Sequence, residues 1–242
     1  VSSNSVTWFS LDTPLPGELG VVENLLVDRA FSPSSTQAHE IAEIVDVRPT
    51  VPHNVLNALA AAAIALSLDI PYSAIKDGLK NFSTDHHRME LVLSKNEITW
   101  IDDSKATNPH AAAASLLGAL SAIWIAGGLA KGAQMDKLVE RCKSRIKAAI
   151  LIGTDRELIA TELRRQVPGV EIIYIETGSA YVKGGASNSL MEAVVSAAKS
   201  RASAGDTVLL APACASMDQF ISYGDRGDRF RAAVEKVVRD GN

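Results

Sequence analysis

From Ile98 onward, five short apolar runs alternate with segments of helical spacing. This alternation constrains the fold more than any other feature of the chain. The runs are ITWID, SAIWIAG, KAAILIG, VEIIYI and DTVLLAP. Helices are expected over Pro109–Leu120, Gln134–Ser144, Arg156–Gln166, Leu190–Ala202 and Arg229–Arg239. Strands this apolar are covered on both faces, and a helix between two strands returns the chain to begin the next in the same direction. The pattern therefore predicts βαβ units and a mainly parallel sheet.

The first 50 residues read differently. SVTWFS, LGVVENLLVD and HEIAEIVDV are expected short strands, with DTPLPG as a turn. HNVLNALAAAAIALSLD (His53–Asp69) is an expected buried helix, and PYSAIKDGLKNF (Pro71–Phe82) a second helix opened by proline. The boundary is placed at about residue 84, giving an α/β chain with a strand-and-helix portion over 1–84 and the parallel-sheet domain over 85–242. The formal charge of −4 argues against a nucleic-acid surface, which needs excess cations to displace counterions. No run reaches the roughly 18 apolar residues of a membrane span. Cys142 and Cys214 sit in unrelated contexts, which points to a reducing compartment and a cytoplasmic protein.

In an open parallel sheet, ligands bind beyond the carboxyl ends of the strands. The loops expected there are DDSKATNP, GGLAKG, GTD and PACASMDQF. The first carries Asp103, Lys105 and Thr107, a set able to hold an anion, although Asp and Ser also cap turns and Asn108-Pro109 also starts a helix. Lys131 in GGLAKG suits a carboxylate or phosphate, or is a solvated lysine on a turn. Ser216 follows small residues that expose backbone N–H groups. Cys214 lacks an evident activating partner and reads as a buried, inert thiol. Arg88 in HHRMEL suits phosphate, while His86 and His87 read as surface or boundary histidines rather than metal ligands. Asn54 and Asn57 share a helix face, where their amides either read a base or close the helix start. Neither a Walker A loop nor GxGxxG is present, which disfavours a dehydrogenase.

Taken in order, HNVLN, HHRME, WIDDSKATNP, AGGLAKG, APACASMDQF and RGDRF resemble the Mur ligases, from about His53 to the end. The pairing of DSKATNP with PACASMDQF resembles the branch of that family that ligates D-glutamate. The resemblance implies that 1–84 is the C-terminal part of a central ATP-binding domain and 85–242 a Rossmann-like domain that binds D-glutamate. It implies ATP and Mg2+ as cofactors, and D-glutamate and UDP-N-acetylmuramoyl-L-alanine as partners. It further implies an acyl-phosphate route, no membrane partner and a monomeric enzyme. By the same resemblance, Asn54 and Asn57 lie by adenine or its sugar, Arg88 by phosphate, Asp103 by ribose, and Lys105 by the phosphates or the reacting acyl group. Thr107, Lys131, Ser216 and the backbone near Tyr223 hold D-glutamate; the family often has Phe at this last position. No P-loop, carbamylated-lysine segment or uridine-binding domain is evident in the 242 residues, so the chain on its own is expected to be inactive. Two other readings stand beside this one: a non-catalytic nucleotide or amino-acid binding module on the same sheet, and a ligase adding glutamate to folates. DSKATNP argues against the latter.

Overall fold

The computed structural model describes residues 6–32, 37–83, 85–176 and 188–240. Ser5, in the first expected strand, and Thr84, the expected boundary residue, lie outside the described residues. The chain divides into two compact units, Val1–Thr84 and Asp85–Asn242.

In the first unit, β1 (Trp8–Phe9) runs parallel to β2 (Glu18–Val22), and LGVVENLLVD folds back on itself so that β2 pairs antiparallel with β3 (Leu25–Asp28). Glu23 takes the left-handed turn position, with φ of 54°. β4 (His39–Glu43) completes the four-stranded sheet, in the order β1-β2-β3-β4. Helix α1 (Pro52–Leu66) begins with proline, whose missing N–H is harmless in a first turn. Val55, Ala58, Leu59, Ala62 and Leu66 recur every three or four residues and form its buried stripe. That stripe packs with Leu19, Leu26 and Ile41 of the sheet and with Ile75 of α2 (Tyr72–Asn81). Pro71 stands just outside α2, at its N-cap.

The second unit is a six-stranded sheet in the order β5-β6-β10-β7-β8-β9. Its strands are β5 (Glu90–Lys95), β6 (Ile98–Asp102), β7 (Ala122–Gly127), β8 (Ile146–Ile152), β9 (Glu171–Tyr174) and β10 (Thr207–Leu210). The last five run parallel to their neighbours, as the alternation predicts, and β5 pairs antiparallel with β6. Helices α3 (Pro109–Leu117), α4 (Asp136–Cys142) and α5 (Arg156–Gln166) contribute to one apolar core, whereas α6 (Asn188–Lys199) and α7 (Tyr223–Val234) contribute to the other. Along β7, Ala122, Trp124 and Ala126 belong to the first core and Ile123 and Ile125 to the second, the period-two alternation of a strand covered on both sides.

Two differences from the sequence reading matter. β5 is an additional edge strand, and its register sets Glu90 opposite Asp102, which brings residues 85–89 to the carboxyl edge of β6. Helix α7 begins at Tyr223 rather than Arg229, because Ser222 caps it: the Ser222 Oγ accepts from the Asp225 N–H at 3.0 Å. A π-helical segment over Glu235–Arg239 follows it. No helix among the described residues is long and apolar enough to cross a membrane.

Candidate functional site

Because β6, β7, β8 and β10 are parallel, the loops that follow them leave the same edge of the sheet. Backbone hydrogen bonds then tie these loops to one another. The Ala213 N–H donates to the Ala106 carbonyl at 2.9 Å, joining the loop of Thr107 to that of Ser216. Leu129 and Ala215 exchange hydrogen bonds, each at 2.9 Å, joining the loop of Lys131 to that of Ser216. The Asp155 N–H donates to the Gly128 carbonyl at 2.9 Å, and the Asp155 carboxylate accepts from the Ala130 N–H at 2.8 Å. This close approach explains the glycines: a Cβ on Gly128 would lie 2.1 Å from the Ala215 carbonyl oxygen. Lys131 itself sits at φ 52°, with its side chain on the exposed side of the loop.

The 85–89 segment joins the same rim. The Lys105 N–H donates to the His87 carbonyl at 3.0 Å, and the Met89 N–H donates to Asp103 Oδ1 at 3.1 Å. Lys105 Nζ is 2.6 Å from Asp85 Oδ2 and 5.7 Å from the centre of the Tyr223 ring. Asp103 is buried and also accepts from the Ser115 hydroxyl. Burial pushes the Asp102 carboxyl above the ordinary range, against the opposing hydrogen bonds from His87 and the Ser104 N–H.

Beneath the rim lie two groups that the sequence reading did not identify as interior. His87 is buried, not a surface histidine, and its Nδ1 is 2.7 Å from Asp102 Oδ2; His86 beside it is exposed. Arg226 is fully buried in the first turns of α7. Its Nε donates to Ser104 Oγ at 2.9 Å, one terminal nitrogen to the Ser104 carbonyl at 2.8 Å, and the other to the Cys214 carbonyl at 3.3 Å. Burial pushes its guanidinium down to about 10, against the attraction of Asp218, Cys214 and Asp102. Nothing in a DRGDR run distinguishes an interior arginine from a solvated one.

The expected site residues therefore fall into two sets. Arg88, Asp103, Lys105, Thr107, Lys131, Ser216 and Tyr223 all lie on loops or helix starts at the carboxyl edge of the second unit. Asn54 and Asn57 belong to α1 of the first unit, where Asn57 is exposed and the Asn54 amide donates to the carbonyls of Arg48 and Pro49, both at 3.1 Å. Cys214 is buried, and burial drives its thiol up to about 12, so it is no nucleophile.

Residues 87–214, just over half of the chain, match the family described as "Mur ligase, glutamate ligase domain". The chain belongs to the Mur ligase family. It is similar to the UDP-N-acetylmuramoylalanine–D-glutamate ligase of Streptomyces avermitilis, at 50% identity over 93% of this chain and 47% of that protein. It is also similar to the ligase of the same name from Mycobacterium avium, at 43% identity over 96% of this chain and 50% of that protein. The chain thus spans about half the length of the curated relatives it matches. Among solved structures, a pseudomurein peptide ligase type C from Methanothermus fervidus superimposes with a TM-score of 0.60 at 21% identity, covering 93% of this chain and 42% of that one. The UDP-N-acetylmuramate-alanine ligase of Thermotoga maritima gives 0.56 at 18% identity, over 89% and 43%. At these identities the two structures speak for the fold alone.

As a Mur ligase, the chain carries its rim within the matched segment and just beyond it: Arg88, Asp103, Lys105, Thr107 and Lys131 lie inside 87–214, and Ser216 and Tyr223 follow. For a metal, the His87, Glu90 and Asp102 atoms lie close enough to share an ion. Yet Asp102 faces His87 at 2.7 Å, and Glu90 accepts from the His87 N–H at 3.0 Å and pairs with Arg231. Magnesium requires an octahedron of oxygens, and a set that includes imidazole and two engaged carboxylates does not fit it.

Proposed function

We propose that this chain is the D-glutamate-binding half of an ATP-dependent, ADP-forming ligase that joins D-glutamate to UDP-N-acetylmuramoyl-L-alanine in peptidoglycan synthesis. In this reading, residues 1–84 end the central ATP-binding domain and 85–242 bind the amino acid. The observation that carries it is the backbone lacing of three loops, through Ala106–Ala213 and Leu129–Ala215, which gathers Thr107, Lys131 and Ser216 on one rim. A dicarboxylate needs a cation and several N–H or hydroxyl donors held in fixed relation, and this rim offers that combination. Lys131, Thr107, Ser216 and the backbone at Tyr223 hold D-glutamate. Lys105, poised by Asp85 and the Tyr223 ring, serves the phosphates or the reacting acyl group. Within the second unit, Arg88 and Asp103 serve the nucleotide.

The carboxylate of the nucleotide substrate accepts the γ-phosphoryl group of ATP, and the amine of D-glutamate attacks the acyl phosphate and displaces phosphate. Magnesium, when bound, neutralises charge on the transferring phosphoryl oxygens. Its ligands are assigned to the rest of the ligase, which we read as a cytoplasmic monomer. With the full-length ligase, D-glutamate, ATP and UDP-N-acetylmuramoyl-L-alanine should yield ADP, phosphate and the amide product, while residues 1–242 alone should give no turnover. Lys131→Ala should raise the KM for D-glutamate about tenfold or more, the loss of one charge-assisted contact. Refusal of D-glutamate by the full-length enzyme would overturn the reading, and an unchanged KM would remove Lys131 from the site.

A further inference from the structure

A fully buried arginine is costly unless its donors are taken up, and Arg226 takes part in no ion pair among the described residues. Its partners are instead a hydroxyl and two backbone carbonyls, and their positions are informative. The Ser104 carbonyl precedes Lys105 and lies three residues before Thr107. The Cys214 carbonyl lies two residues before Ser216. Ser104 Oγ, which accepts from Arg226 Nε, donates in turn to the Tyr223 carbonyl at 2.7 Å. One planar guanidinium thereby touches the loop after β6 and the loop after β10, and through one hydroxyl it fixes the start of α7. The loop of Lys131 is held to the second of these through Leu129 and Ala215.

We propose that Arg226, with Ser104 as its relay, is the positioning residue of the acidic-amino-acid site. It sets the spacing between Thr107, Ser216 and Tyr223 without touching the ligand. The fixed fork of arginine is what the arrangement requires. A lysine carries the same charge, but from a single nitrogen it cannot reach both carbonyls and the hydroxyl in one plane. The effect is on geometry, so it falls on the ligand held by these loops and not on every substrate. Displacements on the order of 1 Å in such a site change turnover by factors of about one hundred.

The inference rests on the proposed function, and the experiment separates the two. Steady-state kinetics of the full-length ligase are measured for wild type, Arg226→Lys, Arg226→Met and Ser104→Ala, varying D-glutamate and ATP in turn, with thermal melting of each protein. Wild-type ligation of D-glutamate tests the functional reading; the variant-to-wild-type ratios test the inference. Arg226→Met should raise the KM for D-glutamate at least tenfold with the KM for ATP within about twofold. Arg226→Lys should recover part of the loss, and Ser104→Ala should give a smaller shift in the same direction. If Arg226→Met does not fold, Arg226→Lys and Ser104→Ala carry the test. Equal changes in both KM values, or changes that track melting temperature alone, would reduce Arg226 to a structural residue. If wild type ligates another acidic amino acid, the ratios are read on that one. If it ligates none, the reading and the inference fall together.

Discussion

Gly227 sets two physical rules against each other, and the packing around it decides between them. It lies within α7, where alanine is favoured over glycine by about 1 kcal/mol. Helix propensity alone therefore predicts that Gly227→Ala stabilises the protein. A Cβ at that position, however, would lie 2.2 Å from His87 Nδ1 and 2.6 Å from Asp102 Oδ2. Neither group is the loose end of a flexible chain: both are buried, and they face each other at 2.7 Å. Admitting the methyl group means separating them. Overpacking costs about 1–3 kcal/mol, and loss of a buried hydrogen bond to a charged group about 1.5–3 kcal/mol. Against the propensity gain, the net destabilisation is about 1.5–5 kcal/mol. Chemical denaturation of the chain, followed by tryptophan fluorescence, measures it, since Trp100 and Trp124 are buried in the second unit and Trp8 is exposed in the first. Gly78→Ala is the matched control: it lies in α2, and its Cβ would meet nothing within 4 Å. There the propensity term stands alone, so the first unit should gain about 0.5–1 kcal/mol, read by circular dichroism. A stabilised Gly227→Ala protein would refute the claim that the His87–Asp102 contact is rigid.

Asp206 gives a pH dependence. Burial opposes its charge, yet hydrogen bonds from Lys147, Ser121 and the Ser203 N–H hold its carboxyl below the ordinary range. A carboxyl depressed in the folded state contributes stability that is present above its unfolded value, about 3.9, and lost as pH falls through the folded value. Wild type should therefore lose more denaturation free energy than Asp206→Asn on going from pH 5 to pH 3; equal losses would contradict the assignment. Cys142 and Cys214 are both buried, and burial raises both thiols, so a thiol reagent should label neither in the native protein at pH 8 and both after unfolding. Native labelling of Cys214 at a rate like that of free cysteine would reopen its role. Trp124→Phe should cost about 1–3 kcal/mol, because the indole N–H donates to the buried Ala211 carbonyl at 2.7 Å and phenylalanine leaves that acceptor unpaired.

The parallel sheet was legible because its central strands β7, β8 and β10 are covered on both faces and so read as apolar runs. The edge strand β5 was not, for the same reason inverted. ELVLSK is half exposed, with Leu91 on the open side, and edge strands carry a mixed pattern that resembles a loop. The sequence pattern places the start of α7 at Arg229 because YGDRGDRF contains two glycines, which locally favour a turn. Its true start follows from the Ser222 cap and from His87, a residue far away in sequence that requires the missing side chain of Gly227.

The candidate site divides along the same line. That the loops after β6, β7 and β10 share one edge follows from the direction of the strands alone, and their residues could be named before any coordinates. The device that sets their spacing could not. Arg226 meets Ser104 across 122 positions of sequence and Cys214 across 12, and each contact is with a carbonyl or hydroxyl that every segment possesses. Patterns of side-chain type record what a loop presents to a ligand. They record poorly a cation that holds the backbone from beneath, because an arginine bound to carbonyls and an arginine bound to water have the same letter. What distinguishes them is the absence of any solvent-facing alternative, a property of the assembled sheet and its two helical layers. In this chain the shared edge of the candidate loops was therefore readable and the arginine that braces them was not. The Arg226 and Gly227 substitutions both probe what lies beneath that edge.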